Sequence, residues 1–223
     1  MTHLDIELKR LKEENLEMFE LVMSQLAKGR DSLLNYDKAQ AREVNFNEKR
    51  VNALELKIDK DCENIFALFN PLAVDLRFVL ACLKINSNME RIGDIADGIA
   101  RYVVESSTNF DAELLSATRI NEMYDTALSM LKDVQSSFEH EDAKLARQVF
   151  KKDDTLDEIN ADANKTIQEY IQAHPDKIDQ CLHIISMIRK LERTGDQVKN
   201  VAEEIIFFIE AKVLKHGPAN SAL

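Results

Sequence analysis

The chain has 223 residues, 45% of them hydrophobic, and a formal charge of −11 at pH 7. An acidic surface repels phosphate backbones and anionic lipid, and no apolar run approaches the ~20 residues that span a bilayer, so neither nucleic-acid binding nor membrane insertion is expected. Five glycines and three prolines leave little turn material, which favours an all-α chain of long helices with few breaks.

The N-terminal stretch "MTHLDIELKRLKEENLEMFE" carries charges throughout and does not read as a signal peptide. A first helix is expected over residues 4–34 and a second over 38–68, where Val51, Leu54, Ile58, Cys62 and Ile65 recur at steps of three and four. "FNPLA" ends the second helix, with Asn70 as N-cap and Pro71 as the first position of a third helix reaching residue 105. "SSTNFD" is a polar break, and Asp111 caps a fourth helix running to residue 140. A fifth helix follows over 141–173; "AHPDK" then repeats the break, with Pro175 opening a sixth helix that ends near residue 215. "HGPANSAL" reads as a frayed tail. The order helix, helix, break, proline, helix thus occurs twice. This predicts an internal duplication: two tandem antiparallel three-helix bundles over residues 1–107 and 108–216, with a tail at 217–223. The three cysteines, Cys62, Cys82 and Cys181, are widely spaced among apolar neighbours and are expected as buried free thiols of a reducing cytosol.

Two stretches carry the chemistry. "NMERIGDIADGIA" begins at Asn88, and "KLERTGDQVKNVAEE" begins at Lys190. Glu90, Arg91, Gly93 and Asp94 return as Glu192, Arg193, Gly195 and Asp196 at a constant shift of 102. At ~100° per residue, Glu90 and Asp94 share one helix face, while Ile92, Ile95, Ala96, Ile99 and Val103 lie opposite. The carboxylates therefore form a solvent-facing row. Upstream acidic pairs, Glu55 with Asp59 and Asp153 with Asp157, precede the two motifs at a shift of 98. Like charges at i, i+4 destabilise a helix by a few tenths of a kcal/mol, and a helical glycine costs ~1 kcal/mol against alanine. A cation between the acids reverses the first term, and close approach of a neighbouring helix explains the second. If adjacent helices bring Glu55, Asp59, Glu90 and Asp94 together, and likewise Asp153, Asp157, Glu192 and Asp196, the clusters suit hard cations. A solvated acidic face is the competing explanation, and Arg91 and Arg193 are candidate counter-charges.

Enzyme motifs do not emerge. None of the five histidines follows a glutamate at Glu-x-x-His spacing, and neither a phosphate-binding glycine loop nor a nucleophile elbow is present. Metals at an exposed surface would also be poorly shielded from water for catalysis. A metal-dependent hydrolase or oxidase is therefore disfavoured.

The run "FNPLAVDLRFVLACLKINSNMERIGDIADGIA" resembles the first repeat of the PhoU family, the phosphate-uptake regulators of bacteria, through Pro71, Ala73, Asp75, Leu76, Arg77 and the E-R-I-G-D element. "LERTGDQVKNVAEEI" is similar to the second repeat, and "ELKID" and "DDTLD" resemble the acidic motif of the preceding helix. The resemblance spans nearly the whole chain. It implies two bundles related by pseudo-twofold symmetry and surface metal clusters of iron, zinc, manganese or magnesium on the eight carboxylates of the two acidic sets. It also implies a cytoplasmic, non-catalytic homodimer, peripheral to the inner membrane through protein partners. Such a protein restrains the phosphate-starvation response by coupling the ATPase of a phosphate ABC transporter to a sensor histidine kinase. A metal-free helical interaction module is the alternative. Two departures stand out: Gly98 occupies the slot of Asn200, and Thr194 replaces the usual isoleucine.

Overall fold

The computed structural model describes residues 2–214. Among them the chain forms seven α-helices and no strand: α1 (His3–Asn35), α2 (Lys38–Phe69), α3 (Ala73–Glu105), α4 (Ala112–Ala117), α5 (Ile120–His140), α6 (Ala143–Ala173) and α7 (Ile178–Glu210). The tail expected at 217–223, and the helix end expected near 215, lie outside the described residues; α7 itself stops at Glu210, where Ala211 turns left-handed with φ 57°.

Local chemistry sets the ends. Thr2 and Asp5 form a capping box at the start of α1. Asp37, Asp111 and Asp142 accept backbone N–H groups at the starts of α2, α4 and α6. Each such cap contributes ~1 kcal/mol. Tyr36 and Glu141 close α1 and α5 in the left-handed conformation.

Three local expectations change. Asn70 is the left-handed C-cap of α2 and not the N-cap of α3; Pro71 sits buried in the connection and α3 starts at Ala73. The fourth helix is two pieces. The Thr118 hydroxyl donates to Leu114 O at 2.8 Å, and Arg119 adopts φ 53° while its guanidinium binds Glu122 and Glu158. Local hydrogen bonding there competes with helix continuation. Pro175 opens a 3-10 turn, Pro175–Lys177, ahead of α7.

α1, α2 and α3 form one bundle and α5, α6 and α7 the second; α3 packs on α7 and α1 on α5, joining the two. The buried side chains make one continuous apolar core across both halves. Phe19, Phe78, Phe138 and Phe208, from α1, α3, α5 and α7, meet at ring separations of 5.6–6.0 Å and tie the bundles together. Helices of 33 residues run ~50 Å, so α3 and α7 cross the whole molecule side by side. All three cysteines are free and buried. No described helix is long and apolar enough to cross a membrane.

Candidate functional site

The predicted carboxylates of the first half lie along the antiparallel seam of α2 and α3. Asn86 of α3 fixes the register: its Nδ2 donates to Glu55 O at 2.9 Å and to Asp59 Oδ1 at 2.8 Å. Burial, and then Asp59, push the Glu55 carboxyl above its usual range. Burial pushes Glu90 up as well, helped by Asp94 and Glu55 and opposed by Arg91. Glu55 and Glu90 therefore feel each other across the helix seam. Asp94 is exposed.

The seam also holds a carboxylate absent from the expected set. Glu48 of α2 is 8% exposed, and neither of its oxygens has a hydrogen-bond partner. Burial raises its pKa to about 7, reinforced by Asp94, Asp97 and Glu90 on α3. Gly93 makes room for it: a Cβ there would stand 3.4 Å from Glu48 Oε2 and 3.0 Å from Val51 Cγ1. Asp97 is held by Asn45 at 2.7 Å and Arg101 at 2.5 Å.

In the second half, Asp153 of α6 is buried against Gly195 of α7. Its Oδ2 pairs with Lys199, which also reaches Asp196 Oδ1 at 2.8 Å, while its Oδ1 has no hydrogen-bond partner. Burial pushes Asp153 up despite Lys199. Glu192 is raised by burial and then by Asp196, Asp157 and Asp153, which places all four predicted acids in one electrostatic neighbourhood. Asp157 is exposed on α6. The second strip carries a cation of its own, Lys199, where the residue at a shift of 102 in the first half is Asp97.

The glycine contacts correct the repeat register. Gly93 faces Glu48 and Val51, and Gly195 faces Asp153 and Leu156. Asp153 is thus the structural counterpart of Glu48 and not of Glu55, at a shift of 105 where the acidic pairs suggest 98. The slip is seven residues, two helical turns. It leaves every residue on nearly the same face, so periodicity cannot detect it. The alignment of "EKRVN" from Glu48 with "DDTLD" from Asp153 is the signal in the sequence that could have found it.

The same contacts give a stability prediction. In Gly195→Ala the new Cβ would overlap Asp153 Oδ1 and stand 2.6 Å from Leu156 Cδ1. Helix propensity returns ~1 kcal/mol, but overpacking costs ~1–3 kcal/mol, so a net loss is expected. Gly93→Ala meets the Val51 methyls at 3.0 and 3.5 Å and Glu48 Oε2 at 3.4 Å, milder contacts that should keep it within ~1 kcal/mol of the parent. Guanidinium unfolding of both variants checks the contrast; equal effects would show that the two glycines are interchangeable.

Among the described residues no three acidic, histidine or cysteine side chains are arranged to hold a metal ion as they stand. The strips are instead elongated, and burial together with neighbouring acids pushes Glu48, Glu55, Glu90, Asp153 and Glu192 up.

A family model described as "PhoU domain" matches the chain twice, over residues 16–103 and 120–205. A phosphate-specific transport system accessory protein PhoU homolog of a Burkholderia species is 31% identical, covering 95% of this chain and 91% of its own. The homolog of that name from Aquifex aeolicus is 32% identical, covering 94% of each. The crystal structure of PhoU from Pseudomonas aeruginosa superposes with a TM-score of 0.86 at 28% identity, covering 93% of this chain and 99% of that one. With both bundles matched and the duplicated E-R-x-G-D glycines packed against the acidic helices, the chain belongs to the PhoU family.

Proposed function

We propose that this chain is a non-enzymatic regulatory accessory protein of a phosphate-specific transport system. The similar proteins carry that accessory name, and the match runs through both bundles. In this reading the protein is a cytoplasmic homodimer that restrains the phosphate-starvation response by linking the transporter ATPase to a sensor histidine kinase. The test is genetic. Deleting the gene should derepress a phosphate-starvation reporter in phosphate-replete cells, and restoring it should silence the reporter. A reporter indifferent to the deletion would remove the reading.

The acidic strips are proposed to take hard cations. The single supporting observation is Glu48, a buried carboxylate with two unpartnered oxygens beside other acids. Glu48, Glu55, Asp59, Glu90 and Asp94 would hold metal in the first half; Asp153, Asp157, Glu192 and Asp196 would do so in the second. A bound dication supplies charge neutralisation there. Lys199 favours the metal-free alternative in the second half, because it already compensates Asp153 and Asp196. Elemental analysis of protein purified without chelator should find metal, and Glu90→Gln/Asp94→Asn should remove more of it than Glu192→Gln/Asp196→Asn. Metal-free wild-type protein would favour the interaction-module reading.

A further inference from the structure

Where α3 lies against α7, two clefts flank the seam, and the internal repeat relates them. A shift of 102 carries Asn88, Arg91 and Gly98 onto Lys190, Arg193 and Asn200. Asn88, Arg91 and Asn200 line one cleft, of about 260 Å³. Lys190, Arg193 and Gly98 line the other, of about 490 Å³. The first is occupied by the protein's own chemistry, because Lys84 pairs across it with Glu204 at 3.1 Å. The second is different. Gly98 leaves space where the repeat has an asparagine, and Lys190 fills it: a Cβ on Gly98 would stand 2.8 Å from Lys190 Nζ.

This larger cleft is cationic in a chain of net charge −11. Arg101 is taken up by Asp97 at 2.5 Å, but Arg91, Lys190 and Arg193 form no side-chain ion pair among the described residues. Arginine and lysine together give forked and point donors for an oxyanion. Asp97 also lines the cleft but is taken up by Asn45 and Arg101, which leaves two acceptors: the exposed Asp94 carboxylate and Gln197, whose Oε1 is buried without a partner. Donors and acceptors together match an anion that itself carries an O–H group. No residue lining the cleft is aromatic, so a nucleobase would find no ring to stack on. The volume is several times that of a small oxyanion and leaves room for its water, at about 30 Å³ per molecule.

We propose that this cleft binds inorganic phosphate as the hydrogen phosphate dianion, with Arg91, Lys190 and Arg193 donating to its charged oxygens and Asp94 or Gln197 accepting from its O–H. Sulfate has the same shape and charge but no O–H at neutral pH, and Asp94 would repel it. The inference rests on the cleft's side chains and goes beyond the accessory role: phosphate binding is measured on purified protein, so its failure leaves the reporter experiment untouched, and the reverse holds too.

The full chain, stripped of metal with a chelator and kept at low ionic strength, is titrated with orthophosphate and with sulfate by calorimetry and by phosphorus NMR. Phosphate should bind at least about tenfold tighter than sulfate. Lys190→Gln and Arg193→Gln should each weaken phosphate binding about tenfold or more, and Gly98→Asn, which installs the other repeat's side chain and displaces Lys190, should weaken it as well. Lys84→Gln, in the smaller cleft, should leave the affinity unchanged, and circular dichroism confirms folding of each variant. No binding to the parent protein at millimolar phosphate, equal affinity for sulfate, or full affinity in folded Lys190→Gln and Arg193→Gln would overturn the assignment.

Discussion

Lys199→Met is expected to destabilise the protein by about 3 kcal/mol at pH 8, the low end of the cost of removing one member of a buried ion pair. Lys199 pairs with the buried Asp153 and with Asp196, and its side chain keeps 27% exposure, which softens the loss. Methionine preserves the apolar stem, so the effect isolates the charge. Without Lys199, Asp153 sits among Asp157, Asp196 and Glu192 with nothing to offset them, and its folded-state pKa rises further above the unfolded value. A folded state that holds a proton which the unfolded chain has released loses stability as pH rises through the folded pKa. The variant should therefore approach the parent at pH 5 and fall away at pH 8. Adding Asp153→Asn should recover most of the loss, because the orphaned charge is then gone. Guanidinium unfolding at both pH values reads all three outcomes. A deficit independent of pH, or one not recovered by asparagine, would mean that Lys199 acts through packing.

The opposite sign is expected in the first half. Glu48→Gln should raise stability at pH 8 by about 2–3 kcal/mol in metal-free protein. The Glu48 carboxyl moves from an ordinary 4.5 to about 7 on folding, driven by burial and by Asp94, Asp97 and Glu90. Between those values the folded state holds the proton and the unfolded state does not, so stability falls as pH rises through the window, and the full deficit is present above it. Glutamine carries no charge and escapes this. Parent and variant should therefore nearly coincide at pH 4.5 and diverge by pH 8. A divalent cation added at pH 8 should stabilise the parent more than the variant, since neutralisation by metal replaces neutralisation by proton. A Glu48→Gln curve parallel to the parent from pH 4.5 to 8 would show that the carboxyl is not held neutral.

The helices are legible in the sequence because their apolar stripes recur at steps of three and four: Val51, Leu54, Ile58, Cys62 and Ile65 are all buried on one face of α2. Their ends are legible where a side chain does the capping, as at Asp111, and not where the backbone alone turns, as at Arg119. The candidate carboxylates are legible as rows on helices, since spacing fixes which residues share a face. Which rows meet is not. That depends on how far α2 slides along α3, and the slide is set by Val51 and Leu156 nesting at Gly93 and Gly195. A slide of two turns preserves the pattern, which is why spacing points to Glu55 and passes over Glu48. Lys199 is hidden for a simpler reason: the repeated motif ends at Asp196, and the halves diverge three residues later, where the first carries Asp97.

The three thiols give the molecule a built-in clock. Burial pushes Cys62 up to about 12 and Cys82 well above its ordinary value, and it raises Cys181 as well. Only thiolate reacts with a disulfide reagent, so none of them is labelled until its stretch of helix comes apart. Cys62 and Cys82 sit on neighbouring helices of one bundle, and Cys181 near the start of α7 in the other. Three separate labelling rates, one per sulfur, will time how often each half breathes, without any introduced probe.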